Sequence, residues 1–156
     1  MLIPDAASLD YADFTYDAWI APDLDSLSSD NYIIHKGLVN LYLPLIYMKG
    51  NAGAHEWTAI VDGVSLNGGP VTYDYQHIAL TRSGSTGQLY VDGVLMDTQT
   101  VGTGSAATYD LALGRITTFG SAFFKGRMDE VEIFNRALSE AEIQAIVNAG
   151  HAGKCK

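Results

Sequence analysis

The sequence predicts an all-β fold, an antiparallel sandwich closed by one short C-terminal helix. Three observations predict it. Short stretches alternate apolar and polar residues with period two. Turn signals recur about every ten residues. A single amphipathic segment with helical spacing follows them near the end. The 156 residues are 47% hydrophobic and 17% charged, a folded composition suited to one domain with one sizeable core. The expected domain is the whole chain, residues 1–156.

Phe14 to Ile20 alternates, with Phe14, Tyr16, Ala18 and Ile20 on one face and Thr15, Asp17 and Trp19 on the other. Pro22 and the acidic, Ser-rich stretch from Asp23 to Asn31 read as a loop. Tyr32 to His35 is a short strand ended by Gly37. Leu41 to Met48 is apolar on both faces, which suits a strand covered on both sides. Pro44 cannot donate to a ladder, so it signals an edge or a bulge. Lys49 to His55 reads as a turn or loop, Glu56 to Val61 as a strand closed by Asp62-Gly63, and Asn67-Gly68-Gly69-Pro70 as a turn.

Tyr73 to Arg82 alternates again, with Ile78 and Leu80 opposite Tyr75, His77, Ala79 and Thr81. After the loop Ser83 to Gly87, Gln88 to Val91 and Val94 to Asp97 flank Asp92-Gly93, a strong hairpin signal. Asp110 to Arg115 and Phe124 to Phe134 add two strands. Ser139 with Glu142 three residues on forms a capping box. Ile143, Ile146 and Val147 form the apolar stripe that packs the helix on the sandwich, and Gly150 stops it.

Nine basic residues against eighteen acidic ones give a formal charge of -9. Such a chain repels phosphate backbones and anionic membranes, so nucleic-acid binding is not expected. No run approaches the ~20 apolar residues of a membrane span. The one cysteine, Cys155, cannot form an internal disulfide. It is a free thiol or the partner of a cysteine outside the chain. The four histidines are far apart and show no zinc-site spacing.

Two groups of residues are candidates for binding. Asp129, in GRMDEVEIF, shares strand parity with Val131 and Ile133 and is expected to face the core. A buried carboxylate needs a partner. Arg127, turn backbone N–H groups or a calcium ion can supply it. Asp5, Asp10, Asp13, Asp23, Asp25 and Asp30 lie in loops or at strand ends, and no EF-hand loop is present. The second group is aromatic. Tyr75 and His77 share a face with Tyr73, Tyr90 points outward if Leu89 and Val91 point in, and Trp57 and the loop residue Phe119 complete the set. Flat rings stack on sugar faces. Half-buried sheets also favour tyrosine without any ligand. Trp19 is expected to pack under the terminal helix.

Four segments carry a resemblance to a known family. IPDAASLDYADFTYDAWIAPD (Ile3 to Asp23) resembles the opening of bacterial laminin G-like domains of the concanavalin A-like superfamily. IIHKG (Ile33 to Gly37) resembles the next segment, and YQHIALTRSGSTGQLYVDGVLMDT (Tyr75 to Thr98) the central strands and hairpin. FKGRMDEVEIFNRALSEAEIQAIVNAG (Phe124 to Gly150) is similar to the closing strand and helix and is the most specific of the four.

The resemblance implies a structural calcium ion held by Asp129 with main-chain oxygens, and a structural His77. It also implies an antiparallel two-sheet jelly-roll sandwich, with one or two further strands that either lie upstream of the point where this sequence begins or have their edge supplied by another segment of this chain. The functional expectation is a non-catalytic, extracellular or cell-surface module of a larger protein that binds a polysaccharide or a glycoprotein glycan. The alternative is a protein-contact or adhesive spacer, with neighbouring domains of the parent chain as partners. A third possibility is a relative of the laminarinase-type hydrolases. Those enzymes place an E-x-D-x-E triplet on one strand face. This chain lacks the triplet and offers only Glu130 and Glu132. It is therefore expected not to be an enzyme.

Overall fold

The computed structural model of the chain describes residues 1–23, 30–38, 41–51, 54–103, 109–116 and 123–150. Among them, eleven strands form two antiparallel sheets. In chain order they are β1 (Leu2–Ile3), β2 (Phe14–Pro22), β3 (Asn31–Leu38), β4 (Leu41–Asn51), β5 (Ala54–Val61), β6 (Val64–Pro70), β7 (Gln76–Ser83), β8 (Thr86–Val91), β9 (Val94–Thr100), β10 (Leu111–Leu113) and β11 (Gly126–Phe134), with a 3-10 turn at Ala7–Leu9 and the helix α1 (Glu140–Ala149). One sheet has six strands in the order β1-β10-β3-β4-β5-β6, and the other has five in the order β11-β2-β7-β8-β9.

Alternation fixes which side chains meet between the sheets. Phe14, Tyr16, Ala18 and Ile20 of β2 and Ile78 and Leu80 of β7 face Ile46 and Met48 of β4 and Trp57, Ala59 and Val61 of β5. The hairpin turns form where they are expected. Asp62-Gly63 and Asp92-Gly93 all take positive φ (49° and 80°, 51° and 77°), as a two-residue turn matched to strand twist requires. Arg82, almost wholly buried, closes one end of the core. Its Nη1 donates to Asp62 Oδ2 at 2.9 Å, its Nη2 to the Tyr11 carbonyl at 3.2 Å and its Nε to the Ala12 carbonyl. Its guanidinium also stands 4.8 Å from the Phe14 ring centre. A buried charge is tolerable only when its donors are met in this way.

The helix covers the outer face of the five-stranded sheet. Ser139 and Glu142 form both halves of the capping box, and Ile143 is fully buried against Ala79, Tyr90 and Leu138. Thr15 fastens the approach to the helix: its hydroxyl donates to the Arg136 carbonyl at 2.9 Å and accepts from the Leu138 N–H at 2.8 Å.

Three bulges correct or complete the expectations. Pro44 lies in an inner strand, and the pairing of β3 with β4 skips it, passing from His35↔Leu45 to Lys36↔Leu43. The bulge accommodates the missing N–H. Asn67 to Pro70 is part of β6 and not a turn. The ladder jumps from Trp57↔Gly69 to Thr58↔Asn67, leaving Gly68 as the extra residue. A Cβ on Gly68 would stand 2.7 Å from Trp57 Cβ, so glycine there serves close packing. The third bulge, in β11 between Asp129 and Glu132, bears on the candidate site.

Candidate functional site

Asp129 sits on β11 opposite Trp19 of β2 and is exposed, which corrects the expected core-facing position. The cause is the bulge. Glu130 adopts φ 49°, and the pairing moves from Asp129↔Trp19 to Glu132↔Asp17, so one residue is inserted and the alternation reverses. Met128, Val131 and Ile133 pack on the core, while Asp129 does not. Its Oδ1 accepts the Glu130 N–H at 3.0 Å, which secures the bulge through local backbone. The same inserted residue breaks the regular alternation expected to place Glu130 and Glu132 on one face.

Calcium needs six to eight oxygen ligands. Asp129 offers one carboxylate, already engaged through one oxygen, with the exposed Arg127 two residues before it. Among the described residues, no group of three or more His, Cys, Asp or Glu side chains converges to hold a metal ion. Side chains described around Asp129 do not supply that shell by themselves, so main-chain oxygens would have to complete it.

Among the described residues, the expected aromatic set is not brought onto one open face. Trp57 is 0% exposed in the inter-sheet core. Its indole N–H donates to Gln76 Oε1 at 2.9 Å, and that oxygen also accepts the Thr72 N–H at 2.8 Å. Tyr90 does point away from Leu89 and Val91, but the helix lies on that side and leaves it 2% exposed. Its hydroxyl donates to Gln88 Oε1 at 3.2 Å, and burial pushes its pKa up. His77 is 0% exposed, edge-on to Trp19 with ring centres 5.2 Å apart and Nε2 3.8 Å from the Asp17 carboxylate. Alternation identified the face correctly; the cover over it could not be read from period two. Tyr75 is half-buried in the segment before β7, with the Arg127 guanidinium 5.4 Å from its ring centre. Phe119, Asp25, His151 and Cys155 lie outside the described residues.

The outer face of the six-stranded sheet carries a different set. Ile46, Met48, Trp57 and Ala59 turn inward, so Tyr47 and Thr58 turn outward. The register aligns Tyr32, Tyr47, Thr58 and Asn67 in one row across β3, β4, β5 and β6. Tyr32 and Tyr47 stack with ring centres 5.8 Å apart at 19°. His35 lies 6.3 Å from the Tyr32 ring, and burial pulls its pKa down to about 4, so the imidazole is neutral near pH 7.

Thr58 is 3% exposed, and its hydroxyl finds no hydrogen-bond partner. Asn67 at the end of the row is exposed, and the cross-strand pair Lys49 and Glu56 on the next row is exposed as well. The row thus joins the half-buried Tyr32 ring, the Tyr47 ring at 9% exposure and the buried Thr58 hydroxyl to an exposed amide and a charged rim on the sheet face opposite the helix. Nothing in the sequence marked it, because Tyr32 and Tyr47 meet only through the register of two strands. The aromatic residues of β3 and β4 were the available signal.

The chain belongs to the concanavalin A-like lectin/glucanases superfamily, as a laminin G-type domain: the family model of that description matches residues 1–144. Solved structures share the fold at low identity. A candidate carbohydrate binding protein from Bacteroides ovatus is 21% identical with a TM-score of 0.71, the match covering 92% of this chain and 43% of that one. Domain 4 of a GH43 extracellular arabinanase from Geobacillus stearothermophilus, solved with arabinotriose, is 20% identical with a TM-score of 0.69, covering 94% and 71%. A sialidase from Trypanosoma rangeli is 19% identical with a TM-score of 0.67, covering 89% and 23%. This chain therefore spans less than half of the Bacteroides protein and about a quarter of the sialidase. No curated protein matches it. No helix among the described residues is long and apolar enough to cross a membrane.

Proposed function

We propose that this chain is a non-catalytic carbohydrate-binding module of a larger extracellular protein, and that it contacts glycan on the outer face of the six-stranded sheet. The observation that carries this is the row Tyr32, Tyr47, Thr58 and Asn67. Ring faces stack on sugar C–H faces, while a hydroxyl and an amide meet sugar hydroxyls. The exposed Asn67 amide and the Lys49–Glu56 pair are the polar groups of this face within reach of a ligand, with the Tyr32 ring half-buried beside them. The opposite sheet has its outer face taken by α1. The names borne by the Bacteroides protein and the arabinanase domain support the same substrate class. The absent acid triplet and the bulge between Asp129 and Glu132 argue against hydrolysis.

The test is a broad glycan array followed by calorimetry, with arabino-oligosaccharides included. Binding of at least one glycan class is expected, without turnover. Failure to bind any glycan would favour the second reading, a protein-contact module. One observation supports that alternative: Val94, Leu95 and Met96 are exposed in sequence on the edge strand β9.

A further inference from the structure

Lys36 of β3, an inner strand of the six-stranded sheet, is 2% exposed. Three oxygens from two separate stretches of chain converge on its ammonium. Asp5 Oδ1 is 2.8 Å away, Asp10 Oδ1 2.9 Å and the Tyr109 carbonyl 2.7 Å. The two acids flank the 3-10 turn at Ala7–Leu9, and Tyr109 leads into β10. Asp5 is held from the other side as well, its N–H donating to Asp110 Oδ1 at 3.0 Å.

Two carboxylates and a carbonyl are the hard-oxygen donors that calcium takes. Here a tethered ammonium is bound among them. We infer that this is a cation site filled from within: Lys36 supplies covalently the charge that a metal ion would bring, and so docks the N-terminal segment without one. The Asp5 and Asp10 side chains are 28% and 12% exposed, which leaves room for water to complete an ion's shell if the ammonium is removed. Closing from these ammonium distances to the ~2.3–2.6 Å of Ca–O bonds needs a shift of a few tenths of an ångström. The site is separate from Asp129 and from the proposed glycan row, so it stands or falls independently of them.

The test compares thermal melts of the full chain, as wild type, Lys36→Met and Lys36→Arg, in chelator and in a calcium series. Lys36→Met is expected to melt lower than wild type in chelator. It should then recover about 3–6 °C more than wild type gains when calcium reaches ten times its Kd. Lys36→Arg, which keeps the charge, should gain no more than wild type, and adding Asp10→Asn to Lys36→Met should abolish the extra recovery. A calcium response in Lys36→Met equal to that of wild type would overturn the inference. So would a Lys36→Met chain that stays unfolded with calcium present, or a response that survives Asp10→Asn.

Discussion

Thr58, Gly68, Asp129 and His35 show how much a single position depends on its place in the register. Asp129 was legible as a residue needing a partner, but the partner is the next backbone N–H, and the carboxylate is outside the core. Asp129→Ala is expected to lower stability by about 0.5–1.5 kcal/mol, read as a shift in the denaturant midpoint, and to leave glycan binding unchanged. A Cβ added at Gly68 would stand 2.7 Å from the Cβ of Trp57. Gly68→Ala should therefore cost about 1–3 kcal/mol by the same measurement. The folded state holds the His35 pKa at about 4, below its ordinary 6.5. The unfolded chain then binds a proton that the folded chain does not. Stability is full above about pH 6.5 and falls as the pH drops toward 4, by up to about 3 kcal/mol. A His35→Leu variant should show a shallower loss across that window in pH-dependent melts.

At the scale of elements, local chemistry made the hairpins and the helix readable. Asp62-Gly63, Asp92-Gly93 and the Ser139–Glu142 box each specify their own geometry within a few residues. Ser139→Ala is expected to cost about 1 kcal/mol, measured by thermal unfolding. Glu142 is held down at about 2, chiefly by the Arg136 side chain. Its contribution is present above about pH 4.5 and lost as the pH falls toward 2. Bulges were less readable. Only Pro44 announced one. The insertions at Gly68 and Glu130 depend on which partner residue each strand meets, and each shifts the parity beyond it. That shift is why Asp129 was assigned to the wrong face.

For the whole molecule, the two sheets and the capped helix follow from periodicity, and the family follows from the motifs between Ile3 and Gly150. The proposed binding face does not. Period two separates two faces of every strand, but only the packed assembly shows that α1 covers one sheet and that Trp57 lies between the two. Candidates chosen for outward parity, His77 and Tyr90, were therefore buried, while strand pairing brought the half-buried Tyr32 against Tyr47, itself 9% exposed. The most direct measurement is a calorimetric titration of the best array glycan into wild type, Tyr32→Ala, Tyr47→Ala and Tyr75→Ala. Loss of a stacking ring should weaken binding by about tenfold in the first two variants, with Tyr75→Ala close to wild type. Equal affinity in Tyr32→Ala and Tyr47→Ala, with binding lost in Tyr75→Ala, would move the site to the helix-bearing sheet and contradict the assignment.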